Sequence, residues 1–143
     1  MRPLTRLWNA YRLPCRDGLY LATGASYAVR PSPEAPGGLR IHAPFDLAAY
    51  VAAHPGRTSE VDGLTSAGTD DGDLLWGGEG SYGSEGFAAR LRSDRTLVWA
   101  VFLTDANPFT EIRTSGRTAT FRSTSGVGIT LDLDDPAGGR GET

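Results

Sequence analysis

Lysine and glutamine are absent from this sequence, and cysteine occurs once in 143 residues. All 14 basic residues are therefore arginine. With so much glycine, alanine and proline alongside, this reads as GC-rich coding and not as an arginine-specific function. The arginines are scattered and the net charge is −3, so no basic stripe tracks a phosphate backbone. Nucleic acid is thereby excluded as the expected partner. Cys15 stands alone, and no intrachain disulfide can form. No run approaches about 18 apolar residues, so no transmembrane helix and no membrane partner are expected. The start, Met1 to Trp8, lacks the apolar stretch of a secretory signal, which makes the cytoplasm the expected compartment. G-x-S-x-G, H-E-x-x-H and C-x-x-C are missing as well, and neither a cofactor nor a metal is expected.

What is present is an ordinary globular composition, 39% apolar and 22% charged. A chain of this length buries roughly 70% of the surface it exposes when unfolded, enough to fold without a disulfide or metal. No internal repeat or second-domain boundary appears. The expectation is one α+β domain over 1–135 and a loose tail over 136–143.

Pro3 opens a short helix in which Leu4, Leu7, Trp8 and Tyr11 share an apolar stripe. Gly18 to Arg30 reads as one strand bent at Gly24, and Leu39 to Ala43 as a short one. Asp46 caps a second helix, with Phe45 and Tyr50 placed for a hydrophobic staple and Pro55-Gly56 ending it. Residues 56–86 are Gly-, Ser- and Asp-rich and read as the least regular part of the chain, with Val61-Asp62-Gly63-Leu64 and Leu74-Leu75-Trp76 as its strand fragments. From Phe87 the pattern sharpens. Phe87–Arg92 and Arg95–Thr104 form a hairpin around Ser93-Asp94, with Trp99 in a central strand apolar on both faces. Phe109–Thr114, Arg117–Ser123 and Val127–Asp134 continue as strands, the last alternating apolar and polar. The fold class predicted is α+β: a mainly antiparallel β meander, a half-barrel if the sheet curls, with two short helices on one face.

Four groups of residues bear on chemistry. Gly78-Glu79-Gly80-Ser81-Tyr82-Gly83 matches G-x-G-x-x-G, but no βαβ unit surrounds it, and its glycines are expected to serve turns with positive φ. Asp70-Asp71-Gly72-Asp73 is acidic but lacks EF-hand spacing, and reads as a solvated loop. His42, in a strand, and His54, at a helix end, are the two histidines; Cys15 beside Arg16 reads as an inert thiol rather than an activated one. The fourth group is an aromatic and acidic segment. Trp76 and Tyr82 would anchor a protein partner, with Asp70, Asp71, Asp73, Glu79 and Glu85 as the charged surround. The alternative reading makes Trp76, Glu79, Tyr82 and Glu85 the mouth of a small-molecule or carbohydrate pocket, in which one glutamate could serve as acid and the other as base or nucleophile.

The run Leu97 to Phe109, with its Asn107-Pro108-Phe109 end, resembles a strand–Asn-Pro-Phe pattern of small bacterial proteins that includes immunity proteins of toxin–immunity systems. The resemblance spans 13 of 143 residues and implies no catalytic position. It implies a non-enzymatic protein that binds another protein, a basic toxin domain in the immunity case. The acidic balance of the chain suits such a partner.

Overall fold

The computed structural model describes residues 1–138. Its centre is an open seven-stranded antiparallel sheet. One side of it is a meander of Gly18–Leu21 (β2), Ser26–Pro31 (β3) and Leu39–Pro44 (β4). The other is Asp62–Gly68 (β6), Leu74–Glu79 (β7), Gly86–Leu91 (β8) and Leu97–Leu103 (β9). The two meanders join where β2 pairs with β9, which gives the order β4-β3-β2-β9-β8-β7-β6. The sheet does not close into a barrel; β4 and β6 are its edges.

Both faces of the sheet are covered at its middle. Leu19, Ala88, Trp99, Val101 and Leu103 point to a three-stranded sheet of Phe109–Ser115 (β10), Thr118–Ser123 (β11) and Gly128–Asp132 (β12). There they pack with Phe109, Phe121, Ile129 and Leu131. Tyr20, Phe87, Ala89, Ala100 and Phe102 point the other way. They meet the helices Pro3–Asn9 (α1) and Leu47–Ala53 (α2), and the small ribbon of Arg12–Pro14 (β1) and Thr58–Glu60 (β5). A strand covered on both sides reads as a continuous apolar run, which is why Leu97–Leu103 stood out in the sequence.

Local expectations hold where chemistry is short-range. The Asp46 side chain accepts from the amide of Ala49, and the Phe45 and Tyr50 rings meet edge-on, the staple of α2. Four expectations are corrected. Gly18 to Arg30 is two strands, because Gly24 at φ 113° makes a reversal and not a bend. The turn after β8 spans more than Ser93-Asp94: Arg92 and Thr96 close it, and Arg95 lies at φ 72°. Residues 56–86 are more regular than expected: they hold β5, and the two strand fragments extend into the β6–β7 hairpin. Their glycines hid a strand pair whose faces carry few large side chains. At the C-terminus, Ala137 is buried against the core, so the domain runs past 135. Residues 139–143 of the expected tail lie outside the described residues. Among the described residues no helix is long and apolar enough to cross a membrane.

Candidate groove at the β6 edge

The helix layer covers β7, β8 and β9 but stops short of β6. Trp8 ends the cover: its ring packs on Phe87 and on Trp76 of β7. Beyond it the sheet carries Gly63 and Ser66, the β6 partners of Gly78 and Trp76. A Cβ at Gly63 would lie 3.2 Å from the Trp76 ring, so the small residues leave that ring reachable. The result is an open groove of about 910 Å³ between the α1–β1 junction and the β8–β9 turn. Tyr11, Leu64, Trp76 and Arg95 line it, with Glu60 and Asp62 on its rim.

The walls are set by strained or interrupted backbone. Tyr11 adopts φ 55°, a left-handed conformation that favours glycine, and its side chain is 55% exposed. This corrects its place on the buried stripe of α1, where Leu4 and Trp8 are the buried members. A β-bulge between Gly63 and Thr65 turns Leu64 out, 46% exposed. The Arg95 guanidinium lies 5.4 Å from the Trp76 ring centroid, and the Arg95 carbonyl accepts from the Trp8 indole at 3.4 Å.

The residues expected to form one surface are divided by β7. That strand is roughly 20 Å long, and it places the 70–73 turn at one end and the Tyr82 loop at the other. Asp70 is exposed. Asp71 and Asp73 are engaged by Arg90, a buried side chain whose Nε binds Asp73 at 3.0 Å and whose Nη2 binds Asp71 and Asp73. Its Nη1 binds the Leu133 carbonyl at 2.7 Å and Asp134 at 3.0 Å, so all five N–H groups are taken. Arg117 also pairs with Asp134. This knot ties the 70–73 turn to the chain after β12, and the acidic turn is more than a solvated loop. Trp76 is half-buried in the groove, Glu79 is partly exposed beside Asp62, and Tyr82 is 68% exposed.

Glu85 is a correction, since it is only 4% exposed and is no rim acid. Its carboxylate accepts from Ser59 Oγ at 2.6 Å, from the Tyr82 amide at 3.2 Å and from Cys15 Sγ at 3.7 Å. Ser59 Oγ in turn accepts from the Ser81 amide at 2.7 Å. The cluster latches β5 to the β7–β8 loop and withdraws Glu85 from any pairing with Glu79 across a sugar. Burial, then the Glu85 charge, push the Cys15 thiol up, the opposite of an activated cysteine.

The glycines of the G-x-G-x-x-G match lie outside the positive-φ region, so they do not serve as left-handed turn residues. Gly78 and Gly80 permit close approach instead. A Cβ at Gly78 would fall 2.0 Å from the Asp62 carbonyl oxygen, and one at Gly80 would meet Glu85 and Ser59. Sequence reasoning missed Tyr11, Glu60, Asp62, Leu64 and Arg95. The available signal was Asp62-Gly63-Leu64, a strand fragment rimmed by acids; the left-handed Tyr11 leaves no trace in composition or period.

Compared with protein-family models, curated proteins and solved structures, the chain has no match among them.

Proposed function

We propose that this chain is a non-enzymatic binding protein whose ligand is another protein, held in the groove beside β6. One observation carries the reading. Tyr11 and Leu64, both large side chains, stand exposed in the same groove as the half-buried Trp76, together with Glu60 and Asp62. Aromatic and apolar anchors inside a polar rim are the usual anatomy of a protein interface. The acids favour a basic partner and speed its encounter. A toxin domain met in the cytoplasm, as the immunity-protein resemblance implies, is such a partner.

A carbohydrate fits less well. Arg95 places a guanidinium 5.4 Å from the Trp76 ring centroid, where a stacked sugar would have to compete with it, and Glu85 is withdrawn into its latch. The test is quantitative affinity capture from the source cells with wild type and a Tyr11→Ser/Leu64→Ser variant of equal melting temperature. The expected result is a protein retained by wild type and depleted at least about tenfold by the variant, the effect of losing about 1.4 kcal/mol. Equal retention by both, or a protein-free sample that binds oligosaccharides through Trp76, overturns the reading.

A further inference from the structure

The two edges of the seven-stranded sheet are guarded differently. Natural proteins blunt free edges with charge and proline. The β4 edge carries Arg40 and Pro44. The β6 edge carries no charge and no proline from Gly63 to Gly68, and most of its residues are exposed. It is bonded on one side only, to β7. β10 comes close to β6 and β7 but shares no ladder with them. Past the bulge at Leu64, Thr65 to Gly68 pair in unbroken register with β7 and have no strand on their other side.

Acids bracket this uncharged stretch. Glu60 and Asp62 stand at its start, Asp70 and Asp71 just past its end. Glu60 has a loose, exposed pairing with Arg12 at 3.9 Å, and Asp71 is held by Arg90. Among the described residues Asp62 and Asp70 are in no ion pair.

We propose that β6 receives an extended segment of the partner as an added strand, and that this segment is uncharged in its middle and basic at both ends. The proposal rests on the reading that the groove binds a protein, and it specifies how. In strand addition, main-chain hydrogen bonds supply affinity and alternate side chains supply specificity. Here the side chains facing the helix layer enter the groove over Gly63 and Ser66, toward Trp76. The two basic residues sit about seven positions apart, because Asp62 begins the strand Asp62–Gly68, roughly 20 Å long, and Asp70 stands in the turn just past its end.

The same charges exclude a second copy of this chain as the occupant. Antiparallel self-pairing about Thr65 brings Glu60 and Asp62 of one copy toward Asp70 and Asp71 of the other. Parallel self-pairing sets Asp62 beside Asp62. Like charges meet either way.

The test uses two fluorescent peptides that share three valine–threonine repeats and differ only in their ends, arginine at both or glutamate at both. Each is titrated by anisotropy against wild type and against Asp62→Arg/Asp70→Arg, a variant of two exposed positions whose fold is checked by its melting curve. The arginine-ended peptide is expected to bind wild type at least tenfold more tightly, and the double variant to reverse the preference. Amide shifts in an ¹H–¹⁵N spectrum are expected to concentrate at Thr65–Gly68, and the preference to shrink with salt. Equal affinities, shifts confined elsewhere, or no binding of either peptide at about 1 mM overturn strand addition. If the captured protein still depends on Tyr11 and Leu64, the binding reading stands without it. If that dependence is also missing, both fall.

Discussion

The indole rings of Trp8 and Trp76 meet with centroids 6.1 Å apart at an interplanar angle of 54°. One ring comes from the N-terminal helix and the other from the strand beside the free edge, so this contact fixes where the helix layer ends and the groove begins. The Arg95 carbonyl receives the Trp8 N–H while its guanidinium lies over Trp76, closing the triangle.

That contact separates two aromatics that the sequence placed in one surface. Trp76→Ala is expected to cost about 2 kcal/mol, through lost burial and a lost aromatic pair. Tyr82→Ala, at a side chain 68% exposed, is expected to stay within about 0.5 kcal/mol of wild type. Urea midpoints of the two variants check both. Equal midpoints would put Trp76 outside the core.

Gly78 and Gly83, both in the glycine-rich match, are expected to respond oppositely to alanine. At Gly78 the new methyl collides with the Asp62 carbonyl and the Phe87 ring, whereas at Gly83 it meets nothing within 4 Å. Gly78→Ala should pry β6 from β7 and cost about 3 kcal/mol or more, on the scale of severe overpacking. Gly83→Ala should be neutral or slightly stabilising. Thermal melts read the difference; a neutral Gly78→Ala would contradict the close packing of that hairpin.

Arg90 organises three carboxylates, and its loss leaves a partly buried Asp73 without its cation. Arg90→Met is expected to cost about 3 kcal/mol. Arg90→Lys should recover only part of this, because an ammonium cannot reproduce the five-donor fork. The pH dependence has a definite sign. The Thr69 hydroxyl, and then Arg90, hold the Asp71 carboxyl below its usual range. Its contribution to stability is therefore present above the unfolded value of about 4, and is lost as pH falls through the lower folded value. Thr69→Val should move the Asp71 titration upward in carboxyl ¹³C spectra. An unchanged titration would remove Thr69 as the cause.

Cys15 is expected to alkylate slowly at neutral pH. Its thiol is raised by burial and by Glu85, so the rate should rise with pH to a midpoint above the ordinary thiol value of about 8.5. Glu85→Gln removes the neighbouring charge and should lower that midpoint. A wild-type midpoint below the ordinary value would mean that the buried carboxylate does not face the thiol.

The parts of the fold legible in the sequence were those decided within a few residues or by one strong period. Asp46, Phe45 and Tyr50 announced α2, and the apolar run around Trp99 announced the doubly covered β9. Trp99 is buried, with its indole N–H on the Leu133 carbonyl at 3.0 Å. The β6–β7 hairpin was legible only as the fragments Val61–Leu64 and Leu74–Trp76, because Gly63, Gly68, Gly77 and Gly78 belong to strands yet give no alternation. At three of them the reason is steric: a side chain at Gly63 would meet Trp76, one at Gly77 Phe109, and one at Gly78 Asp62 and Phe87, whereas Gly68 has open space. The candidate site was half legible. Trp76 was found, but Tyr11 and Arg95 reach the groove through left-handed backbone at two turns. Glu85 looked like surface until Ser59 and Cys15 arrived to bury it.

The pairing of β2 with β9 also sets an order in time. Gly18 finds its partner in Phe102, so β2, β3 and β4 leave the ribosome well before the strand that completes them. At about 5–20 residues per second, the wait is several seconds. Throughout it the inner edge of β2 is open, and Leu19 and Tyr20 lack the strand that will bury them. The later meander, β6 to β9, is built from neighbouring hairpins and needs no such delay. A chain stopped before Leu97 therefore keeps that open edge for its whole lifetime.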